Sequence, residues 1–149
     1  MKYLFWVGIT FFVFIIQGSV SLFDVTPNFT ILIACFAGIR GGEGKGLLLG
    51  SLIGIFEDSL SGTLLGPHML SKGLMGYLAG FLSSKFFVWT PVLGILSGVI
   101  ITMADGVAVF TVRSVFAAMP CGIGAAAFII MMQSLLNAPL GLLLKKRTE

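Results

Sequence analysis

Apolar residues come in long runs separated by short polar breaks, and the breaks divide the chain into elements. Tyr3 to Val20 is apolar apart from Gln17 near its end. Asp24, Thr26 and Pro27 interrupt it, and Pro27 suits the first turn of a helix. The run from Pro27 to Ile39 has only 13 residues, short of the roughly 20 that a crossing helix needs. Arg40 to Lys45 (RGGEGK) reads as a polar, glycine-rich loop. A third run extends from about Gly46 to Leu64, and Gly62, Gly66 and Pro67 make a turn into a fourth, His68 to Phe87. Pro91 opens a fifth that reaches Val112, Arg113 to Pro120 is a loop, and Cys121 to Leu144 is the sixth. The pattern predicts an all-α integral membrane protein, a compact bundle of about six transmembrane helices forming a single domain over residues 1–149. Lys2 ahead of the first run and Ser19-Val20-Ser21 behind it also fit a cleaved leader. The length of the run favours a span.

Within the runs, small residues recur every fourth position. Gly42, Gly46, Gly50 and Gly54 are followed by Asp58, then Gly62 and Gly66. Gly76 and Gly80 mark the fourth run, and Gly94, Gly98, Thr102 and Gly106 the fifth. Such ridges let helix backbones approach closely in lipid, where apolar side chains gain nothing by leaving their surroundings. The ridges exceed what one bundle with short loops needs, so at least one is expected to receive a helix of another membrane protein. The sixth run instead carries Gln133, Asn137 and Gly141 at four-residue intervals, a stripe suited to interhelical hydrogen bonds.

Composition removes the soluble alternative. The chain is 57% hydrophobic and 10% charged, against about 25% charged in soluble domains, and its mean hydropathy is +1.08. The net charge of +3 does not point to nucleic acid, because the basic residues flank apolar runs. With the N-terminus in the cytoplasm, Lys2, Arg40, Lys45, Lys85, Lys145, Lys146 and Arg147 fall inside, while Lys72 and Arg113 fall outside. The positive-inside rule favours that orientation, with both termini cytoplasmic. Tyr77 and Trp89 are candidate interfacial aromatics.

Charge inside the runs is rare, and each case demands a reason. Asp58 lies 13 residues beyond Lys45, ~20 Å along a helix and within a ~30 Å hydrocarbon core. A hairpin centred near Leu65 puts Asp58 and Lys72 at equal height, which predicts an ion pair between them, with His68 one turn nearer the outer surface. These three and Asp105 form the candidate intramembrane polar cluster. A pair that fixes helix register, a proton or substrate relay, and a polar contact surface for a protein partner are the open readings. Glu57 and Asp58 are neighbours on a helix, so their side chains diverge by ~100° and do not act as a pair.

Catalytic chemistry has little to work with. There is one histidine, no nucleophile elbow and no HExxH. No enzymatic activity and no cofactor is expected, and a metal site would rest on Asp58, His68 and Asp105 alone. RGGEGK lacks the GxxxxGK[ST] spacing and the preceding strand of a phosphate-binding loop. Cys35 and Cys121 read as small core residues, and Asn28-Phe29-Thr30 as a chance match to the glycosylation sequon.

Gly46, Gly50, Gly54, Asp58, Ser61-Gly62, Leu65-Gly66 and Gly76-Tyr77, with the pattern GxxxDxxSGxxLG at their centre, resemble the bacterial rod shape-determining protein MreD. Pro27-Asn28 and Asn137-Ala138-Pro139 are similar to that family too, as are the length and the basic tail. Glu57 and Lys72 are not part of the pattern. The resemblance implies a non-enzymatic scaffold of the cell-wall elongation machinery in the cytoplasmic (inner) membrane. It would bind the single-span protein MreC and join MreB filaments to RodA and a penicillin-binding transpeptidase. It also implies a fold similar to the substrate-binding subunits of energy-coupling-factor transporters. The alternative function is therefore a vitamin-type binding subunit. Short external loops of small and apolar residues favour the scaffold, since a vitamin site wants converging aromatic and polar groups.

Overall fold

In the computed structural model, which describes residues 2–19, 21, 25–62, 65–85, 90–116 and 122–144, the apolar runs become helices. They are α1 (Lys2–Ser19), α2 (Phe29–Gly41), α3 (Glu43–Ser61), α4 (Pro67–Lys85), α5 (Pro91–Phe116) and α6 (Ile123–Asn137), followed by a 3-10 helix, Pro139–Leu143. Trp89, Cys121 and the tail Lys145-Lys146-Arg147 lie outside the described residues.

The breaks differ from expectation in three places. RGGEGK is not a loop: Gly42 alone separates α2 from α3. Its φ of +87° is open to glycine and strained for other residues. Its N–H donates to the Gly38 carbonyl at 2.8 Å and its carbonyl accepts from Gly46 at 3.0 Å, so the chain reverses while keeping helical bonds on both sides. Secondly, α2 starts at Phe29 and not at Pro27. Val25 to Asn28 is non-helical, with Val25, Pro27 and Asn28 buried. The burial of Asn28 and Thr30 also removes any use of the sequon. Thirdly, the sixth run breaks. The Ala138 N–H turns to the Leu135 carbonyl at 3.3 Å, Pro139 has no N–H to offer, and the chain tightens into the 3-10 turn. The α3–α4 turn does follow the sequence, with Gly62 at φ +60° and Gly66 at +130° and Pro67 as the first helical residue.

The closest packing is backbone on backbone. A methyl group on Gly46, Gly50 or Gly54 would overlap the carbonyls of Gly76, Lys72 and His68 respectively, so α3 lies directly against α4. α2 fits over both, with Gly38 against the Gly76 carbonyl of α4 and a methyl on Gly46 of α3 reaching within 2.7 Å of Gly38 Cα. On the other side of the molecule, Gly141 packs on the Gly94 carbonyl, and a methyl on Gly98 would sit 3.1 Å from Gly141 Cα. This corrects the expectation that a glycine ridge is free for a partner. Gly46, Gly50, Gly54, Gly76 and Gly80 are covered because α2, α3 and α4 converge as a threesome, and Gly94 and Gly98 because the 3-10 turn lies on α5.

The surface is inverted relative to a water-soluble protein. Leu48, Phe56 and Leu60 of α3 are 66%, 62% and 73% exposed, while Lys72, Asp105 and Asn137 are at 0%. Apolar groups outside and polar groups inside is the arrangement lipid requires. A small apolar core, Ile31, Leu32, Cys35, Met75, Ala79 and Leu144, fills the space between α2, α4 and the 3-10 turn. Among the described residues α5 is the helix that by length and apolarity alone could cross a membrane; α2 and α6 are shorter apolar helices. At 19 residues each, α3 and α4 are ~28 Å long. Glycines and buried polar groups lower their apolarity.

Candidate functional site

One hydrogen-bonded seam collects the buried polar side chains, and every helix contributes to it. It begins at Glu57, near the end of α3. Glu57 Oε2 forms an ion pair with Lys72 Nζ of α4 and lies 3.1 Å from the Thr30 hydroxyl of α2. Gln17 of α1 donates to Glu57 Oε1 at 3.5 Å, and its own amide oxygen accepts the Phe29 N–H at 3.1 Å. A helical Cα–Cβ bond tilts toward the N-terminus, so the Lys72 side chain climbs one turn and its ammonium reaches 3.4 Å from His68 Nδ1. On the far side of that ring, Arg113 of α5 is 3.2 Å from His68 Nε2. Both ring nitrogens thus face cations that can only donate, and Nδ1 also lies 3.8 Å from Glu57 Oε1.

Asp58 does not join this group, which corrects the expected pair with Lys72. Its Oδ2 accepts from the backbone N–H groups of Gly66 at 2.8 Å and Met69 at 3.1 Å, and its Oδ1 from that of His68 at 3.1 Å. The first N–H groups of a helix have no intrahelical acceptor, and the helix dipole favours a negative charge there. Asp58 is thus the cap of α4, supplied from the neighbouring helix. The pairing fails because of register. Residues 46, 50 and 54 meet 76, 72 and 68, a hairpin centred on residue 61 and not near Leu65. Asp58 therefore lies at the level just before α4 begins, and Lys72 reaches Glu57 instead.

The seam continues deeper through Asn28. Thr30 Oγ1 is 2.9 Å from Asn28 Oδ1, and Asn28 Nδ2 donates to Asp105 Oδ2 at 2.7 Å. Ser71 of α4 donates to Asp105 Oδ1 at 2.5 Å. The Asn28 carbonyl accepts from Asn137 Nδ2 at 2.7 Å, which also reaches Thr102 Oγ1 at 3.1 Å. Gln133 donates to the Thr26 carbonyl at 3.0 Å. The non-helical entry to α2 is thus held by side chains of α6. Asp105 is the fifteenth of the 26 residues of α5, so this entry lies against the middle of that helix. Unwound backbone at membrane depth persists only where protein groups satisfy it, and Gln133 and Asn137 do so. The 13-residue length of α2 follows: the helix begins part-way down.

The structure therefore brings His68 and Lys72 together, sets Asp58 beside them on a separate task, and places Asp105 on another branch of the seam. No group of three or more metal-type ligands occurs among the described residues. Sequence reasoning missed Glu57, Gln17, Asn28, Thr30 and Ser71. An accessible signal was the combination of a run too short to cross with Pro-Asn at its head, which marks an unwound segment.

Comparison with protein families supplies the wider context. The profile of the family described as rod shape-determining protein MreD matches residues 1–146. The chain belongs to the MreD family. MreD proteins are membrane proteins with a rod shape-determining role, and the all-helical, inverted structure agrees with that. Comparison with curated proteins and with solved structures found no match. In MreD terms, the quoted pattern falls on the α3–α4 hairpin, and its aspartate, Asp58, is the residue that joins the two helices through backbone bonds.

Proposed function

We propose that this chain is a non-enzymatic scaffold subunit of the rod complex, built as a single six-span domain in the cytoplasmic membrane with both termini cytoplasmic. It binds the single-span protein MreC, and through the assembly is linked to MreB filaments, RodA and a penicillin-binding transpeptidase. The family match over residues 1–146 is the observation that carries this reading. The seven-to-two split of basic residues supports the orientation. The polar seam gives each helix a fixed register against the others, as a platform for a partner needs; in this reading Asp58, His68, Lys72 and Asp105 are structural and carry no relay. The apolar cleft between Gly66, Pro67, Leu70, Val112 and Phe116 holds about 230 Å³. Ligand pockets run to roughly 300–1,000 Å³ with converging polar groups, so this cleft does not favour the vitamin-type alternative.

Because the glycine ridges are occupied, the partner must meet a lipid-facing surface. Photocrosslinkers at the exposed positions Phe11, Leu52, Val107 and Met131 sample four helices. In native membranes at least one should trap MreC, and a chain purified gently should retain it. Retention of a small molecule in place of MreC, with no crosslink to MreC from any position, would contradict the scaffold. Cysteine labelling from outside should reach Leu65→Cys and miss Gly44→Cys, an exposed position with open space beside it; the reverse would overturn the orientation.

A further inference from the structure

The seam ends in an acceptor with nothing to accept. Asn137 Oδ1 is buried and has no hydrogen-bond partner. Turning the amide over does not cure this. Asn137 Nδ2 faces the Asn28 carbonyl, which can only accept, and Thr102 Oγ1, whose hydrogen is already given to the Gly98 carbonyl at 2.8 Å. The nitrogen must therefore point where it does. Local backbone offers no help, since the Ala138 N–H is used by the Leu135 carbonyl and Pro139 has none.

The surroundings are electronegative. Asn137 is the last residue of α6, where the dipole places partial negative charge on the final carbonyls. Asp105 is linked to Asn137 through the single residue Asn28, and it is held by two neutral donors, Asn28 and Ser71. Among the described residues Asp105 forms no ion pair, and the Lys72 ammonium is committed to Glu57. Two interrupted helices, the unwound entry to α2 and the broken end of α6, meet here against the middle of α5. In membrane proteins, helix C-terminal ends and unwound backbone at such breaks are where small cations are coordinated.

We propose that this junction binds one monovalent cation of the size of sodium, with Asn137 Oδ1 as a direct ligand and the Asp105 carboxylate as the balancing charge. One carboxylate among neutral oxygens suits a single positive charge. Calcium sites draw on more carboxylate, and the soft donors that transition metals prefer are not grouped in the described chain. The cation would pin the broken ends of α2 and α6 together at the point where neither helix can supply a donor.

The test uses the purified full chain in detergent, apart from any rod-complex partner, so it is independent of the scaffold reading. Thermal unfolding is followed in sodium, potassium and choline chloride at constant ionic strength. Sodium should raise the midpoint over choline, by roughly 3–6 °C per tenfold concentration above the dissociation constant. Equilibrium dialysis with radioactive sodium should retain close to one ion per chain. Asn137→Ala should abolish the response; should that variant not fold, Asp105→Asn serves in its place and should weaken it at least tenfold. Equal midpoints in all salts with no retained sodium would mean that Asn137 Oδ1 meets only water, and the proposal is wrong. A response that survives Asn137→Ala unchanged would also overturn it, by placing the ion elsewhere.

Discussion

The α3–α4 hairpin and the seam around Asn28 solve the same problem by opposite means. Lipid gives helices no hydrophobic reason to associate. In the hairpin the answer is absence: Gly46, Gly50 and Gly54 leave out side chains so that two backbones touch. In the seam the answer is presence: Glu57, Lys72, Asn28, Asp105 and Asn137 supply polar groups that bond to one another across the helices. The two regions consequently fail in opposite ways. Enlargement should damage the hairpin and truncation the seam, and Asp58, which continues the glycine ridge yet makes polar bonds, belongs to both.

The largest effect is expected from breaking the hairpin. Gly50→Leu drives a side chain into the Lys72 backbone, which cannot move without separating the helices. Overpacking against mobile side chains costs about 1–3 kcal/mol; against backbone the fold itself should be lost, seen as aggregation on extraction into mild detergent. The matching change on the lipid side, Leu52→Ala, should be close to neutral, because Leu52 is exposed. A stable Gly50→Leu chain would show that α3 and α4 do not touch.

Next in size is truncation in the seam. Glu57→Ala leaves the Lys72 ammonium buried without its carboxylate, and loss of one partner from a buried pair costs roughly 3–5 kcal/mol. Asp58→Ala should cost about 2 kcal/mol, the upper end for a helix cap, and should loosen the first turn of α4 in particular. Faster hydrogen exchange at His68 and Met69 is the readout; unchanged exchange there would rule out the cap. Gln133→Ala, which removes one bond to the Thr26 carbonyl, should cost only about 0.6 kcal/mol by equilibrium unfolding. A penalty several times larger would mean that the entry to α2 depends on that single bond.

The parts legible from sequence are those that lipid dictates locally. An apolar run must become a helix because no water is available to its backbone, so six helices could be read before any was seen. The glycine spacing likewise announced close contact on α3, though not with what. The partner of Lys72 was not legible, because it depends on two quantities that no local pattern contains. One is the register of the hairpin, set by where α3 stops at Ser61 and by an asymmetric turn through Gly62 and Gly66. The other is the side on which α2 lies. Glu57 faces Thr30 and Asp58 faces α4, and ~100° of helix rotation separates the two roles. The role of Asn28 was not legible for a related reason: nothing in the residues ahead of the short apolar run shows that Val25 to Asn28 enters the bundle.

The division of labour between Glu57 and Asp58 is the most direct test of the whole arrangement. It calls for two double-mutant cycles in unfolding experiments, Lys72→Met combined with Glu57→Gln and with Asp58→Asn. The structure predicts that Lys72→Met recovers much of the loss from Glu57→Gln, with a coupling of roughly 1–3 kcal/mol, and that it adds independently to Asp58→Asn. Coupling concentrated on Asp58, with none to Glu57, would return the hairpin to a centre near Leu65 and contradict the account.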